Sequence, residues 1–186
     1  MTHCIRFVAN TLSMAHLLNG CREFHNYYNR RHNRIADRIA DEIKQSCPRS
    51  RVYSNKMLET VFPEFHDQLV LFPHRKPDIL VIDPVLKSCI VVEVTVCFDL
   101  YFGYAFDGKC ERYEPLCNFL RERNWNVQMV VLCFGSLGCI KKDVWRGMRA
   151  MSIVKLLQRD YWCSLSNIIM ANYIRRHRAK KLFSTF

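Results

Sequence analysis

The sequence predicts an α/β fold, a mixed central sheet flanked by helices, and three observations carry that reading. Ile35, Ile39 and Ile43 recur every four residues with Ala36 and Ala40 beside them, one apolar stripe of a helix. Two runs rich in β-branched residues, 78–83 and 89–98, flank the short break Pro84-Val85-Leu86-Lys87, the pattern of a hairpin. A further apolar run, 126–134, follows a helical stretch, and the order strand, strand, helix, strand points to a mixed sheet covered by helices.

A chain of 186 residues is long enough for one domain with a proper core and too short for two large ones. At 49% hydrophobic and 24% charged it is globular rather than disordered. Its formal charge of +11 favours a polyanionic partner, since each neutralised phosphate releases counterions; a general solubility charge is the alternative. Ten cysteines suggest a disulfide framework, but no signal-peptide apolar region precedes them, and Cys89, Cys97, Cys133, Cys110 and Cys117 fall inside predicted strands and helices. Free thiols of a reducing compartment fit better. No Cys-x-x-Cys pair occurs, which excludes an ordinary zinc ribbon. No apolar run approaches the roughly 20 residues of a membrane span. The expectation is a soluble protein, intracellular or nuclear, with no membrane partner.

Taken in order, residues 1–21 are short and irregular, and Cys4, His16 and Cys21 are candidate zinc ligands. His16 and Cys21 have a half-site spacing, but Phe7 stands where a second cysteine would pair with Cys4, leaving His3 as the substitute fourth ligand. Residues 22–46 form the clearest helix, ended by Pro48. Its opening half, from His25 to Arg34, mixes basic and aromatic side chains, which suits a nucleic-acid backbone or a solvated face equally. Met57–Phe62 fits a short helix or a strand, and Leu69–Phe72 reads as a strand. From 104 to 123 the pattern is helical, with Leu116 and Leu120 on the core side and Pro115 expected to kink or interrupt it. Helices are expected over 140–159, with Val144, Met148, Met151 and Leu156 as core, and over 164–182. The tail carries five cations in the seven residues after Ile174. Arg175, Arg176 and Arg178 would grip phosphate or form a nuclear-import-like patch, with a solvated helix end as the default.

The chemistry centres on the hairpin. If four residues form its turn, Asp83 lies opposite Ser88, and an antiparallel register brings Asp78 opposite Glu93. Carboxylates crowded in this way repel and are costly to bury unless a cation joins them. Oxygen ligands on rigid strands suit Mg²⁺, which completes its shell with water and substrate phosphates. The bland alternative is a surface hairpin with two solvated acids. A lysine often stabilises the phosphate in such sites, but the position two after Glu93 is Thr95, which supplies no charge. Lys109, at the start of the next helix, shares one helical face with Arg112 and Tyr113 at i+3 and i+4.

Arg75-Lys76-Pro77-Asp78, fourteen intervening residues, Glu93, and a lysine with a tyrosine on the following helix together resemble a known family. It is the restriction-like endonuclease domain of site-specific non-LTR retrotransposon polyproteins, within the PD-(D/E)XK superfamily. Arg31-His32-Asn33 and the His16–Cys21 spacing are similar to the linker and zinc knuckle that precede this domain. The resemblance runs from about Cys4 to Leu165. It implies a restriction-endonuclease-like sheet over 22–186 after a short zinc-knuckle remnant at 1–21. It implies that Asp78 and Glu93 bind Mg²⁺ or Mn²⁺, that Lys109 polarises the water or stabilises the transition state, and that Tyr113 supports it, with Arg112 as the other occupant of that place. Arg31, His32, Arg75 and Lys76 would meet the backbone of double-stranded DNA. The implied activity nicks target DNA in the nucleus, and the freed 3′-hydroxyl primes reverse transcription of the element's RNA. The chain has no Tyr-x-Asp-Asp polymerase motif, so it reads as the C-terminal piece of an element. Two other readings stand beside this one: a non-catalytic DNA-binding module of the same fold, and an RNA-processing or structural protein of the superfamily.

Overall fold

The computed structural model describes residues 16–20, 22, 25–136, 139, 140, 142–151, 171 and 175. A π-helical turn (His16–Gly20) precedes the long helix α1 (His25–Ser46) and the short strand β1 (Arg51–Ser54). Two single-turn helices, α2 (Leu58–Val61) and α3 (His66–Leu69), are bridged by a 3₁₀ turn at Pro63–Phe65. Strands β2 (Ile79–Asp83) and β3 (Ser88–Cys97) follow, then α4 (Phe102–Arg121), β4 (Asn126–Gly135) and α5 (Lys142–Ala150). The four strands lie in the order β1-β2-β3-β4. The first two pairings are antiparallel and the last, β3 with β4, is parallel, so the sheet is mixed.

Alternation along the strands assigns the two faces. Ile79, Val81, Val92 and Val94 pack with Ile35, Ile39 and Ile43 of α1 and with Val144 and Met148 of α5. Leu80, Ile82, Cys89 and Val91 point the other way, onto Leu116, Cys117 and Leu120 of α4 and Leu58 of α2. A strand covered on both faces needs an unbroken apolar run rather than an alternating one, which accounts for the composition of β3. The hairpin turn is closed by Asp83, whose Oδ1 accepts the Val85 and Leu86 N–H groups at 3.0 Å each. Lys87 completes it in the left-handed region at φ 47°. This local closure fixes the Asp83–Ser88 pairing that the turn length predicts.

The structure departs from the sequence reading in four places. Leu69–Phe72 is not a strand: Leu69 closes α3 and the Phe72 N–H returns to the Leu69 carbonyl at 3.1 Å. Only Leu69 is fully buried there while Leu71 is 80% exposed, so the apolar run never acquires a sheet face. β1 has no counterpart in the sequence pattern; at four residues, with Arg51 exposed, an edge strand leaves little hydrophobic signature. α4 runs unbroken through Pro115, because Glu111 and Pro115 both lie on its exposed side, where solvent satisfies the carbonyl that loses its donor. α4 also starts at Phe102, which places Lys109 two turns into the helix rather than at its start. Residues 152–159 and most of 164–182, with their expected core positions, lie outside the described residues; Ala171 and Arg175 are helical. Among the described residues the seven cysteines are free, with Cys89, Cys117 and Cys133 buried. No helix among them is long and apolar enough to cross a membrane.

Gly147 sets how closely α5 approaches the sheet, since a Cβ there would lie 2.7 Å from Val130 Cγ1. Gly147→Ala should therefore destabilise the fold by about 1–3 kcal/mol in chemical denaturation. Gly108, in α4, has open space around it. Gly108→Ala should stabilise by about 0.5–1 kcal/mol through helix propensity. Equal effects of the two substitutions would contradict this packing.

Candidate functional site

β3 continues past the start of β2. The ladder between them ends at Ile79–Val92, while β3 goes on to Cys97 paired only with β4. The main-chain groups of Val94 therefore face a gap, and buried main-chain polar groups require partners. The gap is filled by side chains. Val94 N–H donates to Asp78 Oδ2 at 2.8 Å, and the Asp78 N–H donates to Glu93 Oε1 at 3.0 Å. The residues that extend the ladder by one step, Asp78 and Glu93, thus replace its hydrogen bonds with their own carboxylates. Both are buried, at 8% and 1% exposure. Both share parity with the strand residues that face α4.

Cations reach this pair from the two layers. From α4, the Lys109 Nζ donates to Glu93 Oε2 at 2.5 Å. From α1, His32 Nε2 sits 3.2 Å from Asp78 Oδ2 and 3.0 Å from the Val94 carbonyl oxygen. Its Nδ1 lies 3.2 Å from Asn33 Oδ1, so each ring nitrogen faces an acceptor and the imidazolium, with two donors, satisfies all of them. Burial opposes that charge, but the hydrogen bond and charge of Asp78, with help from Asn33 and Val94, outweigh it and raise the His32 pKa to about 9. For Asp78, burial is likewise outweighed, by His32, the Val94 N–H and Lys109, and the carboxyl is held below its ordinary value. Glu93 goes the other way: burial and the Asp78 charge push it up against the pull of Lys109. Two neighbouring carboxylates are thus driven apart in acidity.

Tyr113, one turn beyond Lys109, is buried, and its hydroxyl donates to the Lys76 carbonyl at 3.3 Å. Burial, and then the negative charge of Glu93, push its pKa up, so it stays a neutral phenol. It ties the segment that carries Asp78 to the helix that carries Lys109. Thr95, on the same face as Glu93 by alternation, is half-buried.

The remaining predicted residues divide sharply. Lys76 and Arg112 are exposed beside Tyr113 and available to a ligand. Arg75 is held at 3.4 Å from Glu59 Oε1 and donates to the Val70 carbonyl, stitching the loop that leads into β2. Arg31 is corrected from a backbone contact to a structural one. It is buried, and its Nη2 donates to the Leu18 carbonyl and to Asn19 Oδ1, while Asn19 also exchanges hydrogen bonds with the buried Ser136. His32, expected to meet DNA, is half-buried and partners Asp78. Its place on the basic, aromatic stretch of α1 is visible in the sequence; its reach to the carboxylates, through the gap beside β3, is not. Arg175 is exposed, while Arg176, Arg178, Cys4 and Cys21 lie outside the described residues, as does the side chain of His16.

The donor set fits a hard divalent cation. Asp78 and Glu93 offer carboxylate oxygens, Val94 offers a carbonyl oxygen beside them, and Oδ1 of Asp78 carries no hydrogen bond among the described residues. Among the described residues no group of three His, Cys, Asp or Glu side chains is arranged to hold a metal. Two carboxylates and a carbonyl oxygen are donors of the kind Mg²⁺ takes, with water and substrate oxygens completing its shell. No family model and no curated protein sequence matches the chain. The site's own chemistry therefore carries the functional reading.

The His32–Asp78 pair has a pH signature in metal-free buffer. A pKa raised from 6.5 to about 9 on folding contributes stability that is complete below pH 6.5 and lost as the pH climbs through about 9. Asp78, lowered from 3.8, contributes above that value and loses its contribution as the pH falls below it. In EDTA, the melting temperature of the wild type should fall more between pH 6.5 and 9 than that of His32→Gln. Parallel curves would mean that the pair is not formed.

Proposed function

We propose that this chain is a metal-dependent DNA endonuclease, the restriction-like nuclease of a site-specific non-LTR retrotransposon, which nicks target DNA so that the free 3′-hydroxyl primes reverse transcription. The observation that carries the reading is the convergence of Asp78, Glu93 and the Val94 carbonyl with Lys109 bound to Glu93. The mixed sheet flanked by helices and the formal charge of +11 agree with it. The proposed setting is nuclear, with double-stranded DNA and the element's RNA as partners.

In this reading Asp78 and Glu93 hold Mg²⁺ or Mn²⁺ with the Val94 carbonyl. When bound, the ion supplies Lewis-acid neutralisation of charge at a phosphodiester. The chain's own residues do the rest. Glu93 and Asp78 fix the geometry because their other oxygens are tied to backbone N–H groups of the opposite strand. Lys109, half-buried and pinned by Glu93, places a positive charge where the phosphate becomes more negative in the transition state. Lys76 and Arg112, free of the carboxylates, bind flanking phosphates as positioning groups. Tyr113 keeps Lys109 and the Lys76–Asp78 segment in register.

Purified protein should convert supercoiled plasmid to the nicked form with Mg²⁺ or Mn²⁺ and not with EDTA. Asp78→Ala and Glu93→Ala should abolish nicking, Lys109→Met should slow it about 10²–10³-fold, and Tyr113→Phe should slow it less. Nicking that persists in Asp78→Ala would overturn the assignment. Salt-sensitive DNA binding with no nicking in either metal would leave a binding module instead.

A further inference from the structure

One atom of His32 reaches two of the three oxygen donors of the candidate site. Its Nε2 lies 3.2 Å from Asp78 Oδ2 and 3.0 Å from the Val94 carbonyl oxygen. These oxygens come from different segments, Asp78 just ahead of β2 and Val94 within β3, and a single N–H serves both. The positive end of that N–H stands where the proposed ion would draw on the same pair. Lys109 is placed differently, on Glu93 Oε2, which leaves the Asp78–Val94 side to His32.

An ion and an N–H donor compete for lone pairs. Mg²⁺ takes oxygens at about 2.0–2.1 Å, and an N–H takes them at about 2.9–3.0 Å between heavy atoms. Asp78 Oδ2 already accepts the Val94 N–H at 2.8 Å as well as His32, so its lone pairs are occupied. Positive charge added beside the imidazole N–H is opposed all the more strongly because the site is buried. In the metal-free chain the same N–H is needed, since a buried carbonyl in the gap beside β3 requires a partner.

The surroundings of His32 give the ring a way out. Its side chain is 27% exposed. Asn29 and His25, one and two turns earlier on the same face of α1, are exposed, whereas Ile35, Ala36 and Ile39 beyond it are buried. Rotation toward the N-terminal end of α1 therefore carries the imidazole onto a polar, wet surface and leaves the core undisturbed. Side chains on a helix lean in that direction.

We propose that His32 is a placeholder for the divalent cation: it holds Asp78 Oδ2 and the Val94 carbonyl together in the metal-free chain, and gives both up, turning toward Asn29, when the ion binds. This rests on the metal-dependent reading of the site. It makes His32 a positioning residue rather than a metal ligand or a DNA contact.

The test follows the imidazole directly. The whole chain, with ¹⁵N-labelled histidine, is titrated with diamagnetic Mg²⁺ at one fixed pH, and the ring signals of its seven histidines are recorded. The His32 signals are those lost in His32→Gln, or in His32→Asn should the first variant unfold. In EDTA the His32 Nε2–H should be protected from exchange with water. Saturating Mg²⁺ should shift its ring signals and remove that protection. Calorimetric titration should show Mn²⁺ binding about tenfold more tightly to His32→Gln than to wild type, the equivalent of one charge-assisted hydrogen bond no longer in competition. A protected N–H that survives saturation with Mg²⁺, or equal or weaker Mn²⁺ binding in the variant, would overturn the placeholder while leaving the metal site standing. Wild-type protein that binds neither ion would sink both the placeholder and the metal-dependent reading.

Discussion

Two carboxylates buried side by side repel each other and resist leaving water, and the architecture around Asp78 and Glu93 answers that constraint. Each acid is anchored by a backbone N–H of the opposite strand, in the gap that opens where β3 outruns β2. Each is then met by a cation from a different layer, His32 from α1 and Lys109 from α4. The hydrophobic layers fix where α1 and α4 lie, and the charge pairs tie both helices to the same point of the sheet. Removing one cation leaves an uncompensated buried acid, which is far more damaging than a lost surface ion pair.

The same arrangement gives the site its asymmetry. Asp78, with His32 at its side, is the more acidic, while Glu93, deeper and beside a second negative charge, is the less. In the proposed function, a divalent cation would add positive charge to a pair that the protein otherwise meets only through side chains from neighbouring helices.

Much of this was legible in the sequence because the signals were local. The Pro84–Lys87 turn length set the Asp83–Ser88 register, and counting outward from it brought Asp78 and Glu93 together. Ile35, Ile39 and Ile43 announced the buried face of α1 through their spacing alone. The reading failed where tertiary contact decides. Arg31 and His32 are adjacent polar residues on a basic stretch, and only the path of α1 across the sheet turns one inward to Leu18 and Asn19 and the other toward Asp78. β1 is a short edge strand whose pairing with β2, not its own composition, makes it a strand. Pro115 predicts a disturbance of α4, but its position on the exposed side of the helix leaves the packed side intact.

The central claim is that Asp78 and Glu93 form one divalent-cation site, and direct Mn²⁺ binding tests it without relying on activity. Electron paramagnetic resonance of Mn²⁺ titrated into the protein reports bound ion independently of any DNA. The account predicts a site displaced by Mg²⁺ and lost in both Asp78→Asn and Glu93→Gln, with the far-ultraviolet circular dichroism of each variant unchanged. Mn²⁺ binding of equal strength in wild type and both variants would place any metal elsewhere and contradict the account.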